Sequence, residues 1–326
     1  MTFRGRAGLA FLALLGAASL GAAPLDEIKS ASSLPPLDFA KLKFGEIISA
    51  RGPIGNFPRG VYAESVFFVH APTETTGARL LHWDPTKHRE NEVRTYREYQ
   101  WPAATETWAS LQLSAQRGDD RWLLERTKQK PADLNLNPAD HPHGSTDAEA
   151  TQFWRSLLRT RNDALAAGGL PALPAITGGS SQINPRSEFN SLLKMAPAAA
   201  ARFAPLTDCF PFATSPNKAA ETIPYWEAAL VRGHTNLHAG FLAERKAGES
   251  TLVADCTYYT SDTYFFSVTL YQLWPVENGT LVWEIDFASA PFRSFTGGID
   301  RAFAGNQMVK ETAATARLFR ADVEGR

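Results

Sequence analysis

Two cysteines and three methionines among 326 residues leave little room for thiolate or redox chemistry. Cys209 and Cys256 are the only thiols and lie far apart in the chain, which excludes four-cysteine zinc sites and Cys-x-x-Cys redox pairs. In an oxidising compartment they have two possible fates. One is a disulfide closing a loop of roughly fifty residues, stabilising by about 4 kcal/mol in the chain-entropy model; the other is a pair of buried free thiols. An excess of either charge is also missing, since 33 Lys and Arg meet 34 Asp and Glu for a net charge of -1. Such a chain has no long-range field to recruit nucleic acid or an anionic membrane surface. Gly-x-Ser-x-Gly elbows, phosphate-cradling Gly-Lys-Ser/Thr loops and dinucleotide fingerprints are all absent. No repeat of fixed period occurs.

What is present begins at the N-terminus. Arg4 and Arg6 precede an apolar run from Ala7 to Leu20, followed by the small residues Gly21, Ala22 and Ala23. This is the three-part plan of a secretory signal peptide, too short for a comfortable permanent span. It predicts an exported protein, periplasmic or extracellular, cut between Gly21 and Ala23 and without a membrane span after cleavage. With no cysteine near the cut, a lipid anchor has no attachment point.

The remainder reads as one α+β unit with a mostly helical insertion. Residues 24–99 form its N-terminal part, with strands at Lys43–Ala50 and Val61–His70 and a short helix from a Thr73 cap to His82. Residues 100–220 form the insertion. A hairpin over Trp108–Thr127 is expected there, followed by a helix from Thr146, which makes a capping box with Glu149 and runs to Gly168-Gly169. Further helices are expected over Ser187–Met195 and Ala198–Phe203. Residues 221–326 supply strands at Tyr225–Arg232, Leu237–Arg245, Thr251–Tyr259, Tyr264–Val276 and Thr280–Ala288. Short connections make neighbouring strands antiparallel, and a long helix follows Gly297-Gly298.

The last hairpin fixes which side chains share a face. With Asn278-Gly279 as a two-residue turn, Glu277 faces Thr280, Trp274 opposes Trp283, Gln272 opposes Ile285 and Leu270 opposes Phe287. The reverse face pairs Leu273 with Glu284 and Tyr271 with Asp286. The aromatic face needs a cover, and the C-terminal helix offers Val309, Ala313, Ala316 and Phe319 on one side. Small residues opposite two tryptophans mean either very close packing or room for a guest. The candidate ligand-binding cavity is therefore lined by Leu270, Trp274, Trp283, Ile285 and Phe287 from the sheet and by those four helix residues.

The segments Ala71-Pro72-Thr73-Glu74, Trp83-Asp84-Pro85 and Gly279-Thr280-Leu281-Val282-Trp283, with the long final helix, resemble the START-type lipid-binding and polyketide-cyclase-like helix-grip superfamily. That resemblance implies an antiparallel sheet gripping a C-terminal helix around an apolar cavity, hence an apolar or lipid-like ligand. Gly77 and the long middle depart from the compact pattern. The stretches GPIGNFPRG, LYQLWPVENGTLVW and GGIDRAFAGNQ also resemble exported bacterial proteins without an assigned activity.

Candidate chemistry is sparse, and no cofactor, metal or catalytic residue is assigned. His234 and His238 fall on a strand, where residues four apart are about 13 Å from each other. His141-Pro142-His143 with Asp140 and Asp147, and His82, Asp84 and His88, have ligand-like spacing but read as exposed loops. Asn278-Gly279-Thr280 fits a glycosylation sequon and reads as a turn. Glu284 and Asp286 point the same way and read as exposed carboxylates on a solvent face, unless burial raises a pKa. Three functions follow from these features: an exported binding protein for an apolar or lipid-like molecule; a structural or partner-binding envelope protein using Trp101, Trp108 and Trp154; and a hydrolase or cyclase, should Glu284 and Asp286 line a pocket.

Overall fold

Apolar and aromatic residues recur at alternate positions through residues 221–289, and that period builds the largest element of the molecule. The computed structural model describes residues 22–142, 144–178, 181–214, 220–292 and 297–326. Most of the expected signal peptide, residues 1–21, lies outside them. The described residues form ten strands: β1 (Ile48–Arg51), β2 (Gly60–Val69), β3 (Val93–Glu98), β4 (Ile176–Gly178), β5 (Ser181–Ile183), β6 (Glu221–Val231), β7 (His234–Ala247), β8 (Ser250–Thr260), β9 (Phe266–Val276) and β10 (Gly279–Ser289). They also form eight α-helices: α1 (Ala22–Ala31), α2 (Phe39–Lys43), α3 (Thr73–Leu81), α4 (Gly118–Gln129), α5 (Asp147–Gly168), α6 (Pro185–Leu193), α7 (Pro197–Thr207) and α8 (Gly297–Glu324).

Strands β4 and β5 pair only with each other, and the other eight form one antiparallel sheet in the order β1-β2-β10-β9-β8-β7-β6-β3. The chain is thus α+β, with a large antiparallel sheet and a long C-terminal helix lying against it. Thr146 and Glu149 make the expected capping box at the start of α5.

The hairpin register differs from the expectation by two residues. Gly279 pairs with Val276, so Glu277 and Asn278 are the loop and Glu277 takes φ 44°. Leu281 opposes Trp274 and Ile285 opposes Leu270. A shift of two keeps every side chain on its predicted face, because the strand period is two. Gly279 is required by a close approach rather than by the turn: a Cβ there would sit 2.3 Å from the Phe68 ring and 2.4 Å from the Val69 carbonyl oxygen. Gly279→Ala is expected to cost about 2 kcal/mol in urea unfolding, against little change for Gly118→Ala, where nothing lies within 4 Å. Equal midpoints for the two variants would remove this explanation.

The larger correction concerns what covers the aromatic face. Leu270, Trp274, Trp283, Ile285 and Phe287 join one core with Trp154, Leu157, Leu158, Phe189 and Phe203 from α5, α6 and α7. Phe203 packs at a tilt on Trp283, 5.8 Å between ring centroids. α8 lies on the opposite face, where Ala316 and Phe319 pack with Phe67, Leu273 and Val282. Alternation shows that a face needs a cover but does not say which helix supplies it. The bulky insertion helices take the tryptophan face, and the small-residue helix takes the face that carries the carboxylates.

Smaller differences have local causes. The expected hairpin over Trp108–Thr127 is instead irregular chain followed by α4, whose first turn carries Asp119 and Asp120. Asp120 is buried and accepts from Arg94 (2.8 Å), Arg117 (2.9 Å) and Thr235 (2.7 Å), tying α4 to β3 and β7. Pro72 occupies the cap position of α3 without a side-chain bond, and Thr73 points inward to Thr280 at 3.3 Å. Gly77 lets α3 approach the sheet, since a Cβ would lie 3.2 Å from Glu244 Oε2. Cys209 and Cys256 are buried and free, so the disulfide reading is overturned; the Arg245 guanidinium donates to Cys209 Sγ. Among the described residues no helix is long and apolar enough to cross a membrane.

Candidate functional site

Alternation along β6, β8, β9 and β10 sends a second set of side chains to the α8 side of the sheet: Tyr225 and Glu227, Asp255 and Thr257, Thr269 and Tyr271, Glu284 and Asp286. Between this face, α8 and α3 lies a cavity of about 400 Å³. Leu80, Trp83, Leu242 and Val253 give it one apolar wall, and α8 contributes Glu311, Thr312 and Thr315. α8 is held over the cavity at its C-terminal end, where Asp322 accepts from the Trp83 indole at 2.7 Å and bonds His88 at 2.7 Å.

Three cavity carboxylates sit deep on the sheet, and each is held by a neighbouring hydroxyl. Tyr225 donates to Asp255 Oδ1 at 2.7 Å, Ser65 to Glu284 Oε2 at 2.7 Å and Thr269 to Asp286 Oδ1 at 3.2 Å. Loss of water is the main cause of their altered acidity, and it outweighs those hydrogen bonds. Glu284 is pushed up to about 8, helped by the charge of Asp286. Asp255 is pushed up to about 7, helped by Glu227 and Asp286, and Asp286 to about 6, helped by Glu311. Burial also raises the phenols of Tyr96, Tyr225, Tyr264 and Tyr271, so they stay neutral.

This arrangement overturns the reading of Glu284 and Asp286 as exposed carboxylates. Glu284 is buried, Asp286 is half-buried, and both line the cavity. The nine residues expected to line a ligand site are split between the two faces and none lines this cavity. Leu270, Trp283, Ile285 and Phe287 are packed core, and Trp274 lies at that core's edge. Val309, Ala313, Ala316 and Phe319 pack α8 beside the cavity rather than into it. Asp255, Glu227 and the four tyrosines are not among the expected site residues, although single acids inside apolar strands, as in LVADCTYY and YWEAALV, are a legible signal.

The other candidates are occupied structurally. His234 stacks on Trp122 at 4.0 Å and bonds Asp262, while His238 bonds Glu227 at 2.6 Å. Asp140 accepts from Arg161 and Asp147 from Lys128, and His143 lies outside the described residues. His82 bonds Glu98, and Asp84 caps a short turn at Thr86. Among the described residues no group of three or more His, Cys, Asp and Glu side chains is placed to hold a metal ion. Trp108 and Trp154 are buried, and Trp101 is half-buried and donates to Asn162 at 2.7 Å.

No protein-family model and no curated relative matches the sequence. Among solved structures, a fragment of a STAR-related lipid transfer protein from Xanthomonas axonopodis aligns over 90% of this chain and 98% of its own, with 8% identity and a TM-score of 0.41. A likeness of that degree carries no statement about what this chain binds.

Proposed function

We propose that the protein binds a small amphipathic molecule in the cavity between the sheet and α8, with export as its setting. The carrying observation is Thr312 of α8, which lines the cavity and whose buried hydroxyl has no hydrogen-bond partner among the described residues. A buried hydroxyl without a partner costs about 1 to 3 kcal/mol, and a guest in the cavity would supply one. The volume is of the size that small-molecule sites use. Leu80, Trp83, Leu242 and Val253 suit an apolar body, while the carboxylates and phenols suit a polar end.

Thr315→Trp, at a half-buried position facing the cavity, fills the space from the helix side. Small amphiphiles screened by thermal shift are expected to raise the unfolding midpoint of the wild type, by about 2.7 kcal/mol of linkage at a hundredfold excess over Kd, and to leave Thr315→Trp unmoved. A screen in which no compound separates the two proteins would refute the proposal.

A further inference from the structure

We infer that the polar end of the ligand is an organic cation, an ammonium group taken up by the carboxylates on the sheet. This rests on the small-molecule reading above and adds the ligand's charge. Five carboxylates face the cavity: Glu227 from β6, Asp255 from β8, Glu284 and Asp286 from β10, and Glu311 from α8. Among the described residues no Lys, Arg or His lines it. The nearest imidazole is His238, which lies behind Glu227 and bonds both it and the Tyr264 hydroxyl. The other walls that could bear charge carry only neutral phenols, Tyr96 from β3, Tyr225 from β6 and Tyr271 from β9. Ionised acids gathered in such a space are costly, and a guest cation offsets that cost where solvent does not.

Two further observations select an ammonium over a metal ion or a neutral hydrogen-bonding group. The carboxylates are not clustered as metal ligands. Tyr96 and Tyr225 pack as a tilted pair, ring centroids 5.2 Å apart, and both line the space, so aromatic surface borders the acids. Aromatic faces attract cations through the ring quadrupole and gain nothing comparable from anions. Thr312 of α8 lines the same space, and its buried hydroxyl has no partner among the described residues.

Uptake is coupled to protons. Near neutrality Glu284, raised by burial to about 8, holds its proton, Asp255, at about 7, holds it half the time, and Asp286, at about 6, is largely ionised. A bound cation favours the ionised forms, so binding releases protons and affinity rises as pH rises through that window.

The test uses the full-length protein and three probes with one tail and different heads: n-octylamine, 1-octanol and octanoate. Calorimetry at pH 8.5 is expected to show the amine binding at least tenfold tighter than either other probe. Its affinity should fall at least tenfold by pH 5.5, while that of octanol stays level. Repeating the titration at about pH 7, inside that window, in buffers of different ionisation enthalpy should show proton release for the amine alone. The double variant Asp255→Asn, Glu284→Gln keeps the cavity's shape and should lose the preference for amine while still binding octanol. Octanol or octanoate binding as tightly as the amine, with loss in Thr315→Trp, overturns the cation and leaves the small-molecule reading intact. Failure of all three probes to bind overturns the cation assignment; the broader amphiphile screen then decides the small-molecule reading.

Discussion

Glu284→Gln is expected to make the protein more stable at pH 9 by roughly 3 kcal/mol and to leave it nearly unchanged at pH 5. The carboxyl is pushed from 4.5 in its ordinary state to about 8 by burial. A carboxyl raised on folding is bound to its proton more tightly by the native state, so the native protein holds more protons than the unfolded chain between those two values. Stability tied to this proton is complete below the unfolded pKa and is lost as pH rises through the folded one, at about 1.4 kcal/mol per unit. The full window is an upper limit, because Asp286 is coupled to the same site and Ser65 favours the charged form. Glutamine cannot ionise and still accepts the Ser65 hydrogen bond. Urea unfolding of both proteins from pH 5 to pH 9 should give curves that meet at the acid end and diverge at the alkaline end. Parallel curves would mean that Glu284 is ionised throughout and lies in wetter surroundings.

Trp283→Ala is expected to lower unfolding free energy by about 4 kcal/mol while leaving ligand uptake intact at low temperature. The indole is buried at 1% exposure under α7, and its N–H donates to Glu64 Oε2 at 3.2 Å. Glu64 also receives Ser33, both from the backbone N–H at 2.9 Å and from the hydroxyl at 2.6 Å, so the N-terminal segment is anchored through the same carboxylate. Truncation therefore opens a cavity and loosens that anchor together. Thermal-shift response to an amphiphile that stabilises the wild type should persist. Loss of that response in a variant that remains folded at 10 °C would place the ligand on the tryptophan face instead.

Those two residues are neighbours in sequence, and together they mark how far the amino-acid pattern reaches. Trp283 and Glu284 are assigned to opposite faces by alternation alone, and the two-residue slip of the hairpin does not disturb this. The strands, the capping box at Thr146 and Glu149, and the long final helix are equally local signals. The covering helix is not local: α7 and α8 both bury apolar side chains against the sheet, Phe203 from one and Ala316 and Phe319 from the other, and neither pattern names the face it will meet. Burial of Glu284 depends on that choice, so an error in the cover becomes an error in the site. Asp255 escapes for a related reason. A lone acid in a strand has the same spacing whether it meets water or a cavity, and its environment is decided by chain far away in sequence.

Core residues and cavity residues alternate along β8, β9 and β10, which ties two kinds of heritable change to different outcomes. Substitutions at every second position can recast the cavity's shape and charge without disturbing the tryptophan side. Gain or loss of a single residue within one of these strands would exchange the two sets beyond that point, sending Glu284 toward Phe203 and Trp283 into the cavity. Descendants of this chain are thus free to drift in the lining of the cavity but are held to fixed strand lengths, with variation in length confined to the turns and the insertion.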